Sequence, residues 1–116
     1  MTRNKKTVER YMDGFNKSDH AQILSCLADG IVWDMPGAFH LVGKDAFDKE
    51  IENPAFTGRP VITITRMIEE AGVVIAEGAV RARRKKNGYL NARFCDVFVM
   101  KKGKIQGLTS YLAEVK

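Results

Sequence analysis

Two cysteines, two histidines, one tryptophan and three prolines in 116 residues leave little material for metal or redox chemistry. Cys26 and Cys95 lie far apart, with no Cys-x-x-Cys spacing and no histidine nearby. Both sit among apolar residues, where a free thiol behaves as a small hydrophobe, so both are expected in the core. His20 and His40 are too scattered to form a structural metal site. The chain has no GxxxxGK followed by Ser or Thr, no GxGxxG, no HExxH and no GxSxG. Nucleotide-dependent, zinc-protease and serine-hydrolase chemistry therefore lose their usual support. Apolar runs are also short: Met35 to Val42 is broken by Pro36 and Gly37, and nothing approaches the roughly 20 residues of a membrane span. The basic start, Met1 to Lys6, leads into an amphipathic pattern rather than the apolar core of a signal peptide. A cytoplasmic protein without a transmembrane helix is expected.

What the chain does have is an ordinary globular composition, 45% hydrophobic and 28% charged, at a length that supports one core and hence one single domain over residues 1–116. Its net charge of +5 comes largely from Arg81, Arg83, Arg84, Lys85 and Lys86, running into Asn87-Gly88. Asn-Gly between two strand-like segments is the signature of a two-residue hairpin turn, which places those charges on an exposed, edge-protecting hairpin end. Nucleic-acid binding is not expected, because the basic residues are not interleaved with an aromatic platform; steering of an anionic ligand is an alternative use of the charge.

The hydrophobic period divides the chain. Val8, Tyr11, Met12 and Phe15 define one face of a helix from about Thr7 to Asn16. Asp19 N-caps a second helix, with Ile23, Leu24 and Leu27 as its apolar stripe and Asp29-Gly30 as its end. Ile31 to Met35 reads as a short strand, and Lys44 to Glu52 as a third helix ended by Asn53-Pro54. Four strand-like segments follow: Val61–Glu69, Val73–Lys85, Tyr89–Lys101 and Lys104–Val115. The links Glu70-Ala71-Gly72, Asn87-Gly88 and Lys102-Gly103 are short, so these strands should be antiparallel neighbours. Three helices followed by a meander give an α+β fold, and long twisted strands curl to leave a concave interior beneath the helices.

A few polar residues interrupt the apolar pattern. Tyr11 lies on the buried stripe of the first helix, where its hydroxyl needs a partner. Asp96 shares a strand face with Phe94 and Phe98, so ionising it is costly. It is either a carboxyl held neutral in a pocket or one half of a bridge to Arg66, Arg81 or Arg93. Alternation puts Asp34 with Val32 on one face and Trp33 with Met35 on the other, without saying which face is inward. His40 lies in the loop after that strand, as a satisfied loop histidine or as a ligand-binding or catalytic one.

The order of elements, together with these residues, resembles the ketosteroid isomerase and SnoaL-like polyketide cyclase group of the nuclear transport factor 2-like superfamily. The resemblance is carried by Arg10-Tyr11-Met12-Asp13 followed by Ser18-Asp19, by Leu27-Ala28-Asp29-Gly30 ahead of Trp33, and by Pro36-Gly37 with Gly43-Lys44. Further along, Asp96-Val97 precedes Lys102-Gly103-Lys104-Ile105, and Ser110 to Val115 closes the chain. It implies a cone-shaped α+β barrel, with three N-terminal helices on a strongly curved, mostly antiparallel sheet. It also implies a homodimer formed through the sheet and a pocket for a small apolar organic ligand. In ketosteroid isomerases a tyrosine and a protonated aspartate hold the oxyanion, and a second aspartate moves the proton. Tyr11 and Asp96 match the first two. The basic aspartate of that family directly precedes a proline, whereas here Met35 precedes Pro36, so Asp34 serves only if the strand carries a bulge. Leu112 stands where the best-known isomerases have a pocket tryptophan.

The expected function is therefore a cofactor-independent isomerase or cyclase acting by proton transfer next to a carbonyl. Tyr11, Asp34 and Asp96 are the candidate catalytic residues, with His40 as a weaker candidate for the proton carrier. Trp33, Met35, Phe39, Phe47, Phe94, Phe98 and Leu112 are the candidate pocket residues. The alternatives are a non-catalytic ligand-binding or dimerisation module of the same fold, or epoxide opening by carboxylates bridged through an arginine near Asp96.

Overall fold

The computed structural model describes residues 1–115. Helix α1 (Arg3–Lys17) opens with Thr2, whose side chain accepts from the Lys5 amide, and stops where Ser18 turns left-handed at φ 54°. Its buried face is Val8, Tyr11 and Met12, the stripe expected from the sequence. Asp19 caps α2 (His20–Ser25) by accepting from the Gln22 amide at 3.0 Å. This helix ends earlier than its apolar spacing implies: Leu27, Ala28, Asp29 and Gly30 already belong to strand β1 (Leu27–Met35). The side chains of Ile23 and Leu27 are both buried, so a helical stripe and the start of a core strand read alike in sequence.

A short strand that the sequence did not announce, β2 (Phe39–Val42), folds back on β1 after Pro36-Gly37. Helix α3 (Lys44–Ile51) follows, and then β3 (Phe56–Glu70), β4 (Val73–Arg84), β5 (Tyr89–Lys101) and β6 (Lys104–Glu114). The six strands form one sheet in the order β2-β1-β6-β5-β4-β3. All neighbours are antiparallel except β1 and β6, which run parallel. The first long strand thus pairs with the last, a contact no hairpin prescribes. The sheet curves without closing, so β2 and β3 remain as edges.

Two of the meander links have the two-residue form expected, with both central residues at positive φ: Ala71 and Gly72 at 51° and 79°, Lys102 and Gly103 at 52° and 76°. The third does not. Arg83 pairs with Tyr89, and the Arg84 amide donates to the Gly88 carbonyl, so residues 85–88 form a longer link rather than a turn on Asn87-Gly88 alone. The basic residues around it are exposed, apart from half-buried Arg84.

Alternation along β4 and β5 separates the two faces of the sheet. Val74, Ala76 and Gly78, with Phe94, Asp96 and Phe98, face the helices and are buried. Cys26 is in this core, but Cys95 is not: it lies on the outer face between Phe94 and Asp96 and is only half-buried. Gly78 is required where it stands, since a Cβ there would collide with the Thr63 carbonyl and with the Phe94 ring. Asn16 fastens α1 to edge strand β3 by accepting from the Ile62 amide at 2.7 Å and donating to the Ile62 carbonyl at 3.2 Å.

Candidate active site in the concave face

Between the helices and the inner face of the sheet lies a cavity of about 830 Å³, within the range of small-molecule sites. Met12 and Phe15 of α1, Trp33 and Met35 of β1, and Phe39 of β2 line one side. Phe94 of β5, Leu112 of β6, Phe56 and Ile62 of β3 and Val80 of β4 complete the apolar lining. Five of the seven expected pocket residues therefore reach the cavity. Phe47 and Phe98 do not line it: Phe47 stacks on Trp33 at 4.4 Å, and Phe98 meets the Tyr11 ring edge-on at 5.5 Å. Both are fully buried behind the lining, where they fix the rings that form it. Leu112 sits at the rim, 43% exposed.

Three buried polar groups belong to this apolar space: Tyr11, Asp96 and Ser110. Asp96 occurs in mid-strand, paired with Ala76 on one side and Ser110 on the other. Both cross-strand neighbours are small, so the space above the carboxyl stays open. Burial drives the Asp96 pKa up to about 7, against a smaller downward pull from the Ser110 hydroxyl. Ser110 in turn accepts the Trp33 indole N–H at 3.0 Å, so Trp33, Ser110 and Asp96 form a connected set. Burial pushes the Tyr11 phenol well above its ordinary pKa, and negative charge on Asp96 raises it further. Tyr11 therefore stays a protonated donor, while Asp96 changes charge near neutrality.

None of the three arginines considered as bridge partners is among the groups that shift Asp96. Arg66 pairs with Glu77, Arg81 lies over the Tyr89 ring at 4.0 Å, and Arg93 is exposed on the opposite face of β5. The structural-bridge reading of Asp96 fails for this reason, and the arginine-bridged arrangement fails with it.

Asp34 is not brought to the site. Trp33 and Met35 line the cavity and Asp34 does not. The one irregularity between β1 and β6 falls between Leu27 and Val32, and pairing is regular from Val32 through Asp34. No bulge therefore turns Asp34 inward. Its carboxylate is 43% exposed and lies 3.6 Å from His40 Nδ1 on the outer side. His40 accordingly belongs to that outer pair rather than to the cavity, and His20 ties α2 to α3 through Asp48 at 2.6 Å. Sequence reasoning missed Ser110, whose type gave no signal, although its place two residues before Leu112 on an alternating strand was available. Phe56 of β3 also reaches the cavity, whereas Met67 of the same strand packs on the core.

A tyrosine donor and a carboxyl that titrates near pH 7, both in an apolar cavity, can hold one substrate oxygen and exchange a proton beside it. This fold and polar cluster define a class. A family model for the SnoaL-like domain matches residues 8–108, and the chain belongs to that family, within the nuclear transport factor 2-like superfamily. No curated protein matches it. Among solved structures it is similar to an LEH-like epoxide hydrolase of M. tuberculosis, with 16% identity, a TM-score of 0.83, and coverage of 96% of this chain and 83% of that one. It is also similar to TerC co-crystallised with polyporic acid, at 16% identity and a TM-score of 0.85, covering 94% and 90% of the two chains. A third likeness is to a putative ketosteroid isomerase from Kribbella flavida, at 14% identity and a TM-score of 0.77, covering 98% and 80%. At such identities the likeness is one of fold.

Proposed function

We propose that this protein is a cofactor-independent enzyme that binds a small, largely apolar organic molecule and moves a proton next to its carbonyl or enol oxygen. In this reading Tyr11 donates to the oxygen as negative charge develops there, and Asp96 takes up and returns the proton. The supporting observation is the Asp96 carboxyl itself: it titrates near pH 7 beside a protonated tyrosine in an apolar cavity, where one group can serve as acid and base at working pH. Asp34 has no part in this scheme.

One observation favours a second reading. Met35, not Asp34, faces the cavity, which removes the separate base and fits a ligand-binding module of the same fold. In either reading we propose a homodimer formed through the outer face of the sheet, where Val42 and Val99 are 63% and 47% exposed.

The test is titration with an equilenin-like steroid phenol, a mimic of a dienolate, followed by NMR detection of α-proton exchange in a steroid enone. Binding that weakens in Tyr11→Phe, with exchange that disappears in Asp96→Asn, supports the enzyme. Binding without exchange in the wild type contradicts it and favours the module. Binding indifferent to both substitutions contradicts the assignment of the site.

A further inference from the structure

The mouth of the cavity has a chemistry distinct from its floor. Glu50 to Pro54, at the end of α3, and Ala82, Lys85 and Leu90, at the β4–β5 hairpin, lie next to one another in its lining. Two carboxylates stand on this rim: Glu50 accepts from the Asn53 side-chain amide at 2.6 Å and keeps its charge, and Glu52 lies 3.5 Å from His20 Nε2. Within the basic run, Arg84 is paired with Glu114 at 3.0 Å and Arg81 is stacked on Tyr89. Lys85 lines the cavity, and among the described residues no carboxylate is paired with it. Its backbone is held at the mouth, because its amide donates to the Ala55 carbonyl at 3.0 Å.

We propose that Lys85 is an anion anchor, and that the cavity takes an elongated amphipathic molecule with an apolar body and one anionic end group, such as a carboxylate or sulfonate. This rests on the reading of the cavity as a small-molecule site. The body enters toward Tyr11 and Asp96, and the anionic end stays at the hairpin. From Asp96 along β5 to Tyr89, the strand runs roughly 23 Å at about 3.3 Å per residue. The lysine side chain reaches back over part of that length, so a ligand well beyond a single ring system is needed to touch both ends. Lys85 is the one member of the basic run in the cavity lining, where it stands with Glu50 and Glu52, so it offers an anion a point contact rather than a broad positive field.

The experiment is fluorescence titration with dansyl-undecanoic acid and its methyl ester, which share a body and differ in end charge. The wild type should bind the acid about tenfold more tightly than the ester at low salt. Lys85→Met should reduce acid binding to the level of the ester and leave ester binding unchanged. Lys86→Met, the adjacent cation outside the cavity lining, should keep the preference. Equal binding of acid and ester by the wild type overturns the proposal, as do equal losses in the two variants, which would mark a diffuse field. If neither probe binds, the small-molecule reading fails as well, whereas ester binding without acid preference overturns the anchor alone.

Discussion

Two aspartates on neighbouring regions of the same sheet have opposite fates. Asp96 faces the helices, 8% exposed, with a pKa near 7; Asp34 faces outward, 43% exposed on its side chain and 3.6 Å from His40. Both interrupt apolar strand sequences, and both look equally out of place in one dimension. What separates them is register. Asp96 shares a face with Phe94 and Phe98, while Trp33 and Met35 take the inner face of β1 and leave Asp34 outside. A one-residue offset decides whether a carboxyl is buried in the cavity or left to solvent.

The largest effect that sharpens this contrast is Asp96→Asn against Asp34→Asn. If turnover on a suitable ketone is found, the inner substitution should lower it about 10²- to 10⁴-fold, and the outer one should change it less than about twofold. Stability carries the same asymmetry. The Asp96 pKa is raised above the roughly 3.9 of an unfolded aspartate, so the folded state holds its proton more tightly. Its favourable contribution is complete below about pH 4 and is lost as pH rises to about 7, by up to roughly 4 kcal/mol. Melting curves should show the wild type losing stability across that interval and Asp96→Asn not doing so. Asp34→Asn should leave the loss in place.

Next in size is Tyr11→Phe, which should weaken a bound phenolate about ten- to a hundredfold, read by titration, because the lost hydrogen bond is to a charged oxygen. The glycines of the two faces offer a comparable contrast. Gly78→Ala on the inner face drives a methyl into Thr63 and Phe94 and should cost roughly 1–3 kcal/mol in urea denaturation. Gly107→Ala on the outer face meets nothing closer than Val99 Cβ at 3.8 Å and, with no positive φ to oppose it, should leave stability unchanged or raise it by up to about 1 kcal/mol. Ser110→Ala removes the hydroxyl that pulls the Asp96 pKa down, so that pKa should rise further in an NMR titration, and it strips the buried Trp33 indole of its acceptor, at a cost of roughly 1–3 kcal/mol in urea denaturation.

The inner region was the more legible of the two. The Val8, Tyr11, Met12 and Phe15 spacing and the Phe94, Asp96 and Phe98 alternation are local patterns that survive into the structure. The elements that escaped detection depend on distant partners. Strand β2 is only four residues long, too short for its alternation to stand out between Pro36-Gly37 and Gly43; its identity comes from pairing with β1. The early end of α2 follows from Ile105 donating its amide to the Cys26 carbonyl at 2.8 Å, which draws the next residues into a strand beside β6. The facing of Asp34 is set by the same parallel pairing, between the first and last long strands. Ser110 was invisible as a site residue because its importance lies in what stands across from it, Asp96, and what reaches over it, Trp33.

In the proposed scheme Asp96 is a desolvated carboxyl that exchanges a proton near neutral pH. Its side-chain carboxyl resonance, followed by carbon-detected NMR from pH 3 to pH 9 in the wild type and assigned with Asp96→Asn, tests this directly. A midpoint near pH 7 for Asp96 is the expected result; a midpoint near the ordinary value of about 4 would show a solvated carboxyl and overturn the proposed role of Asp96.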